Sequence, residues 1–285
     1  PRSTPSNSSA ASDVYKRQPQ NWPVQIQGMT ATTPNFFVTI DDVDNDGEQD
    51  IIMVTLSLTY TSGSTNIYVF NRDGTIKQGW PRVIDEVPFT AAVTKDIDND
   101  GLKEIILALT TFETNDGVLR SKIYAFKPDG VVMNGYPLTY PALYGYTRSM
   151  PAVGDYDNDG EDEFLILTVK GHLLALSKTG AIEQSRRLYG DEFEDNQATT
   201  FPEIVDIDND NVQDIVLLVD KVYRVEPPNI YYADDVLYVL NHDFSDKPGW
   251  PKQLDTVTDI QFMAPPAIAD VDNDGFLEIG VKTVH

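Results

Sequence analysis

Four carboxylates recur within nine residues at five places in this chain of 285 residues. Each copy has an acidic residue at positions 1, 3, 5 and 9 and an Asn at position 4, and four of the five have a Gly at position 6. Such a loop would repel itself in water, but it becomes favourable around a hard cation that prefers oxygen ligands, of which calcium is the usual one. The five nonapeptides, numbered loops 1 to 5, are Asp42–Asp50, Asp96–Glu104, Asp155–Glu163, Asp206–Asp214 and Asp270–Glu278.

The position of the last carboxylate distinguishes these loops from an EF-hand, which needs a bidentate Glu at position 12. Position 12 is apolar in every copy: Met53, Leu107, Ile166, Leu217 and Val281. We therefore expect a β-hairpin loop that binds one calcium ion, and up to five ions in all, through the side chains at positions 1, 3, 5 and 9 and the carbonyl at position 7. The predicted ligands are Asp42, Asp44, Asp46, Glu48, Asp50, Asp96, Asp98, Asp100, Leu102, Glu104, Asp155, Asp157, Asp159, Glu161, Glu163, Asp206, Asp208, Asp210, Val212, Asp214, Asp270, Asp272, Asp274, Phe276 and Glu278.

The sixth position must turn the chain back toward the ion. Gly allows the left-handed backbone that this turn requires. Asn211 replaces Gly in loop 4, and because Asn is the next most tolerant residue there, we expect that site to survive in a weakened form. One isolated copy could be a solvated turn rich in Asp and Asn, but five copies with four carboxylates each favour a metal site.

The loops recur 54, 59, 51 and 64 residues apart, which predicts a repeat architecture. A second marker, an aromatic residue followed by Pro, keeps the same spacing and is missing once, near Phe193. Each unit reads as a short strand, the acidic loop, a strongly apolar strand, a third strand, a turn and a last strand that the marker opens. The apolar strand has no alternation, so both of its faces should be covered. The marker aromatics, expected to pack between sheets, are Trp22, Trp80, Tyr136 and Trp250.

Four-stranded antiparallel sheets that stack face to face in a ring form a β-propeller. We predict an all-β fold with four full blades and a partial fifth, part of a propeller of seven blades, with six or eight blades as the alternatives. Residues 1–18 are Ser-rich and match a translated sequencing adapter from Ser8 to Gln18, so we expect them to be non-native, the alternative being a disordered leader. The predicted propeller covers residues 19–285, an incomplete fragment with units at about 20–78, 79–134, 135–190, 191–248 and 249–285.

The loop pattern followed by an apolar strand resembles the FG-GAP/VCBS repeats of integrin-α-like β-propellers, over essentially all of residues 20–285. The Gly-Trp-Pro marker is similar to that of secreted bacterial FG-GAP proteins, in which propellers accompany peptidases or surface-anchoring domains. The resemblance implies a calcium-binding extracellular module for binding, adhesion or scaffolding, at the cell surface or secreted. Asn211 and the lack of a clear Phe-Gly/Gly-Ala-Pro pair depart from the pattern, so animal integrin function is not transferred.

A partner should bind at the end of the blades opposite the acidic loops, where the connections vary and include a long loop predicted at Tyr223–Asp235, which contains Pro227-Pro228. We expect a protein or a glycan, recognised by Tyr231, Tyr232, Tyr144, Tyr146 and Arg148, although each aromatic could instead pack against its own loop. A net charge of -24 disfavours nucleic acid and anionic membrane as partners. No apolar run is long enough for a membrane-spanning helix, so we expect no membrane insertion.

The sequence shows no motif for catalysis. It has three His residues, of which His172 and His242 are expected in exposed turns, and no Cys. It lacks a nucleophile elbow, an HExxH zinc motif and a Gly-rich phosphate loop. We therefore expect a binding module and not an enzyme. The alternative is the propeller of a calcium-dependent polysaccharide lyase, since some lyase families resemble this fold.

Overall fold

The computed structural model describes residues 21–26, 36–58, 63–111, 117–190, 201–225, 230–257 and 265–281. The adapter-like segment 1–18 lies outside these ranges. Apart from one 3₁₀ turn at Ala142–Tyr144, every regular element in the described ranges is a β-strand. No helix there is long and apolar enough to cross a membrane. The strands are β1 (Phe36–Asp41), β2 (Asp50–Leu58), β3 (Gly63–Phe70), β4 (Arg82–Ile84), β5 (Val87–Pro88), β6 (Val93–Lys95), β7 (Glu104–Thr111), β8 (Arg120–Phe126), β9 (Leu138–Thr139), β10 (Ala152–Gly154), β11 (Glu163–Leu167), β12 (His172–Leu176), β13 (Ile182–Arg187), β14 (Glu203–Val205), β15 (Asp214–Val225), β16 (Ile230–Asn241), β17 (Lys252–Val257), β18 (Ala267–Ala269) and β19 (Glu278–Gly280).

The strands form separate antiparallel sheets, and within each sheet neighbours in sequence pair with each other. Blade 1 is β1–β4, blade 3 is β10–β13 and blade 4 is β14–β17, while β18 and β19 form a two-stranded blade 5. Blade 2 contains β5–β9, and its first position is divided between β5 and β6, which both pair with β7. This up-and-down order confirms the prediction of an all-β fold with sheets of the β-propeller type. The seven-blade total remains a prediction.

The unbroken apolar runs arise because each central strand packs against two neighbouring sheets. In β7, Ile105 and Leu107 pack toward blade 1, whereas Ile106 joins a cluster with Phe164 and Ile166 of blade 3. Strands β11 and β15 repeat this division between the blade before and the blade after. Side chains alternate between the two faces of a strand, so a strand covered on both faces needs apolar residues at consecutive positions.

The marker aromatic of one blade packs against the next, as predicted. Trp80 is buried, its ring lies 5.8 Å from that of Phe126 in blade 2, and its Nε1 donates to the carbonyl of Pro128 at 2.8 Å. Trp22 makes the equivalent bond to Arg72 at 2.9 Å. The strand after each marker closes the preceding sheet, as β4 does after Trp80. The predicted unit boundaries, which begin at the markers, remain a prediction.

Phe244 fills the seam between blades 3 and 4, where the marker is missing. It stands at the turn position that Gly74 and Gly130 occupy in blades 1 and 2, with a left-handed φ of 62° and a side chain that is 2% exposed. Its ring lies 5.7 Å from that of Tyr156 in blade 3, and its carbonyl accepts a bond from Arg186 at 2.6 Å. A Cβ at Gly74 would lie 3.2 Å from the Trp22 indole. These turns therefore have Gly where the marker aromatic of the preceding blade packs against them. The turn of blade 4 has Phe244 instead, and the preceding blade has no marker aromatic.

The β15–β16 hairpin corrects one prediction. The prediction of a loop at Tyr223–Asp235 is wrong, because β15 runs to Val225 and β16 begins at Ile230. The two strands stay paired up to the tip of the hairpin, with Tyr223 opposite Tyr232 and Arg224 opposite Tyr231. The alternation in Lys221–Val225 is the period of a strand, and the Pro-Pro pair marks only the tip. Tyr231 and Tyr232 are therefore strand residues.

Candidate metal loops

Each of loops 1 to 5 is the hairpin between the first and second strands of its blade, and its shape is set by its own carboxylates. In loop 3 the Asp155 carboxylate accepts the N–H groups of Asp159 and Gly160, both at 3.0 Å, and Asp159 accepts that of Glu161 at 2.8 Å. The corresponding bonds form in the other four loops. These bonds hold the chain in a tight turn and leave the remaining carboxylate oxygens to converge.

Two positions in each loop have left-handed backbone. Position 6 has φ from 87° to 93° in the four Gly loops and 67° at Asn211, which confirms the predicted role of Gly. Asn211 still donates its N–H to Asp206 at 2.9 Å, so loop 4 keeps the common shape. Position 4 is also left-handed, with φ from 57° to 62°. The invariant Asn there was the signal for this second turn, because Asn is the non-glycine residue that best tolerates it.

In every loop, three acidic side chains bring carboxylate oxygens within 4.8 Å of one another, close enough to hold a metal ion. The converging positions are 1, 3 and 9 in loops 1, 2, 3 and 5, and 1, 3 and 5 in loop 4. Two acidic side chains at position 7 form ion pairs outside the loop, Glu48 with Arg72 and Glu161 with Lys178. Ligation through position 5 in the other loops and through the position-7 carbonyls remains a prediction.

The carboxylate at position 9 is the buried member of the set. Asp50, Glu104, Glu163 and Asp214 are at most 3% exposed. One oxygen accepts the N–H of position 2, as in the 3.1 Å bond from Ile97 to Glu104. The remaining contacts of this carboxylate divide the loops into two kinds. Within the described residues, Glu104 Oε1 and Glu163 Oε2 are buried without a hydrogen-bond partner, whereas Asp50 and Asp214 each receive a lysine.

Burial makes these carboxyls difficult to ionise. The pKa of Glu163 rises from 4.5 to about 8, first because burial disfavours its charge and then because Asp157, Glu183 and Asp159 lie nearby. Burial also raises the pKa of Glu104. It raises the pKa of Asp50 and Asp214, although Lys77 and Lys247 oppose the change. A cation bound among these oxygens would favour their ionised form and so oppose the upward shift of the pKa.

The loops also connect neighbouring blades. Lys103 of loop 2 donates to both carboxylate oxygens of Asp41, at 2.7 and 2.8 Å, and its N–H reaches the carbonyl of Val43 in loop 1 at 2.9 Å. The Asn209 amide of loop 4 donates to the Gly275 carbonyl of loop 5 at 2.8 Å. Ordering a loop should therefore also order the contact between two blades.

The aromatic residues proposed for a partner are partly used within the fold. Tyr146 is 8% exposed, so it offers little surface to a partner, and Arg148 lies over its ring and over that of Phe89, at 5.6 and 5.0 Å. Tyr144 is half-buried and meets the ring of His172 edge-on at 5.0 Å. For Tyr146 the structure therefore favours packing against its own loop. His172, expected in an exposed turn, is a half-buried strand residue.

Comparison with known proteins identifies one segment. The family model of the FG-GAP-like repeat matches residues 42–107, from loop 1 into β7. Over residues 42–107, this match confirms the resemblance to FG-GAP propellers. No curated protein matches the chain.

Two solved structures similar to the chain have low sequence identity. BamB from Moraxella catarrhalis is 13% identical over 85% of this chain and 82% of its own, with a TM-score of 0.34. BBS1N in complex with ARL6DN, soaked with lead, is 11% identical over 90% of this chain and 92% of its own, also with a TM-score of 0.34. Neither likeness bears on function.

Proposed function

We propose that the chain is a calcium-stabilised β-propeller that acts as a binding or scaffold module outside the cell. The observation that carries the calcium proposal is the buried Glu163 Oε2, which has no partner in the described residues and belongs to the group that converges with Asp155 and Asp157. A buried acceptor left unpaired in this way destabilises the fold. A divalent cation held by these three residues would satisfy that oxygen and neutralise the charges around it.

The donor set favours calcium over other metals. All the converging side chains are carboxylates, without sulfur or imidazole, which suits hard cations and not zinc or copper. Magnesium prefers to keep several waters and uses one or two carboxylates, whereas calcium accepts six to eight oxygens in flexible geometry. Four carboxylates and a carbonyl in each loop match the second pattern.

Thermal unfolding tests this proposal. The protein is dialysed against EDTA and melted with added calcium, with magnesium at the same concentration as the control. A ligand that binds only the folded state stabilises it by about 2.7 kcal/mol for each site at 100 times its Kd. We expect calcium to raise Tm by several degrees and magnesium to raise it far less. An unchanged Tm across calcium concentrations up to about 10 mM, which exceeds the usual Kd of extracellular modules, would contradict the proposal.

An extracellular setting suits sites of modest affinity, because extracellular calcium modules bind with Kd of about 10⁻⁴–10⁻³ M. FG-GAP repeats are typical of extracellular proteins, and residues 42–107 match such a repeat. Fractionating the cells that produce the native protein checks this part. Recovery in the culture medium or by protease shaving of intact cells is expected, and recovery in the cell lysate alone would contradict it.

We propose a glycan or protein partner for the end of the blades opposite the acidic loops. The β15–β16 hairpin supports this, because it continues beyond the three residue pairs of β14 with β15 and carries Tyr231 and Tyr232. A glycan array probed with the full chain and with the Tyr231→Ala/Tyr232→Ala variant tests the glycan case. Phe276→Ala, which removes an exposed ring at the other end, is the control. Equal binding by all three proteins would exclude the two tyrosines.

The enzymatic alternative is tested separately. The chain is incubated with pectic substrates in calcium while the ultraviolet absorbance of unsaturated products is followed. A calcium-dependent rise would favour the lyase, and a flat trace favours the binding module.

A further inference from the structure

Loops 1 and 4 differ from the others at a residue outside the nonapeptide, in the turn between the third and fourth strands. The four turns align through one shared bond, in which the fourth residue donates its N–H to the carbonyl of the first. Those first residues are Asn71, Lys127, Ser177 and Asn241. Six residues beyond each lies a residue that we name the gate position: Lys77 in blade 1, Met133 in blade 2, Glu183 in blade 3 and Lys247 in blade 4.

The two gate lysines reach into their own acidic loops. Lys77 Nζ lies 2.7 and 2.8 Å from the two carboxylate oxygens of Asp50 and 2.8 Å from Asp44. Lys247 repeats the arrangement, contacting Asp214 and lying 2.9 Å from Asp208. Each ammonium thus joins the carboxylates at positions 3 and 9. The lysine side chains are only 11% and 12% exposed, so these are buried ion pairs and not surface contacts.

Loops 2 and 3 have no such cation at the gate. Blade 2 has Met133 there, and Lys127 contacts only Asp98 and Asp100 from a more exposed place, which leaves Glu104 Oε1 without a partner in the described residues. Blade 3 has Glu183 there, which adds a negative charge near the loop. Glu163 Oε2 is the second buried oxygen without a partner.

The residue at position 9 changes together with the gate. Where the gate is Lys, position 9 is Asp (Asp50, Asp214), and where the gate is Met or Glu, position 9 is the longer Glu (Glu104, Glu163). An Asp carboxylate stays closer to its own strand and leaves room for an ammonium. A Glu extends farther into the loop and needs another positive charge. In loop 4, where Lys247 contacts Asp214, that Asp is absent from the group of converging carboxylates, whereas Asp50 of loop 1 stays in its group and binds Lys77.

We propose that Lys77 and Lys247 are internal cations that replace calcium in loops 1 and 4, so that the metal binds the three loops with Glu at position 9, which are loops 2, 3 and 5 (Glu104, Glu163 and Glu278). A buried ammonium on the position-9 carboxylate and a calcium ion bound to that same carboxylate would repel each other at close range. Loops 1 and 4 therefore hold their hairpins without calcium. Lys127 of blade 2 differs, because it contacts positions 3 and 5 and not position 9, and its side chain is 35% exposed, so it can turn out to solvent when a metal binds. This inference rests on the proposed function, since it assigns the calcium to particular loops.

Counting bound calcium by equilibrium dialysis of the full chain tests the assignment. The wild type should bind three ions at a concentration that fills loop 3. Lys77→Met/Lys247→Met should bind five, since Met is the residue that blade 2 already has at the gate. The reverse variant, Met133→Lys, should bind two. Lys170→Met, which removes the same charge from a hairpin turn at the opposite end of blade 3, should leave the count at three.

The outcomes separate the two proposals. A wild-type count of five, or a double variant that binds no more than the wild type, overturns the lysine assignment and leaves calcium binding intact. A wild type and double variant that both bind no calcium contradict the proposed function itself. If the double variant fails to fold, Lys247→Met alone should add one ion, and the wild-type count still decides between three and five.

Discussion

Replacing Glu163 by Gln should stabilise the metal-free protein and weaken its response to calcium. Glu163 is 1% exposed, and one of its oxygens accepts the N–H of Tyr156 while the other has no partner in the described residues. Gln keeps the shape and the bond to Tyr156, removes the charge, and can donate an N–H toward the nearby Asp157. The variant should gain stability without metal and lose stabilisation by calcium. The negative charge of Glu163 destabilises the metal-free fold, whereas calcium binding requires it.

The magnitude follows from the pKa. Burial and nearby carboxylates raise the pKa of Glu163 from 4.5 to about 8. At pH 7 that shift corresponds to about 3 kcal/mol, at 1.36 kcal/mol for each pH unit, and solvent screening at a loop reduces it to roughly 2 kcal/mol. With about 2–4 °C for each kcal/mol in a chain of this size, Tm in EDTA should rise by roughly 4–8 °C. In saturating calcium the variant should lose up to about 2.7 kcal/mol of ligand stabilisation.

The assay is thermal unfolding of wild type and variant in EDTA and in calcium, with Asp50→Asn as the matched control. Asp50 has the same position in loop 1, but Lys77 neutralises it there. Removing its charge leaves the buried Lys77 ammonium with Asp44 as its remaining carboxylate partner and should destabilise the metal-free protein by up to about 3 kcal/mol. The two isosteric changes should therefore shift Tm in EDTA in opposite directions. A Glu163→Gln protein that melts at or below the wild-type temperature in EDTA would refute the reasoning.

Three further expectations follow from the same contacts. Burial raises the folded-state pKa of Glu163 and Glu104, so the metal-free protein should lose stability as pH rises from about 4.5 to about 8. Urea unfolding at about pH 5 and pH 8 measures this loss, which calcium should make smaller. An equal loss with and without calcium would contradict the expectation. Trp80→Ala should cost about 3–5 kcal/mol in urea unfolding, whereas the exposed Val83→Ala should stay within about 0.5 kcal/mol. Phe244→Gly relieves a left-handed φ but empties the seam between blades 3 and 4, so Tm in calcium should fall by an amount equivalent to about 2 kcal/mol; an unchanged Tm would show that the ring does not replace the missing marker.

Most of the fold could be predicted because its signals are local and repeated. The apolar runs, the acidic hairpins and the marker aromatics each recur in phase, so five weak signals support one another. The interpretation failed where a single segment carried two signals. Tyr223–Asp235 contains both the alternation of a strand and a Pro-Pro pair. The pair indicated a loop over the whole segment, whereas it marks only the tip of the β15–β16 hairpin. The division of the first strand of blade 2 into β5 and β6 has a counterpart in blade 3 only as the bridge between Thr147 and Thr168, and it was not predicted.

The acidic loops show the same limit at the level of single residues. Position 9 could be chosen as a ligand because its spacing from position 1 is local. Its partner could not, since Lys77 lies 27 residues from Asp50 and Lys247 lies 33 residues from Asp214. Phe244 was also missed, because its role depends on a marker that is absent from another part of the chain.

The sequence by itself determined the oxygen-only character of the loops and their left-handed turns, because each depends on residues within nine positions of one another. It also determined the repeat, because the same local pattern recurs every 51 to 64 residues. Only the tertiary structure decided which loops already contain a positive charge and which seam is filled by Phe244. Those outcomes depend on where antiparallel strands return the chain. Strand pairing brings the gate residue beside the buried carboxylate at position 9. Where the gate residue is Lys, the carboxylate forms an ion pair, and where it is Met or Glu, one carboxylate oxygen stays unpaired in the described residues and can bind a metal.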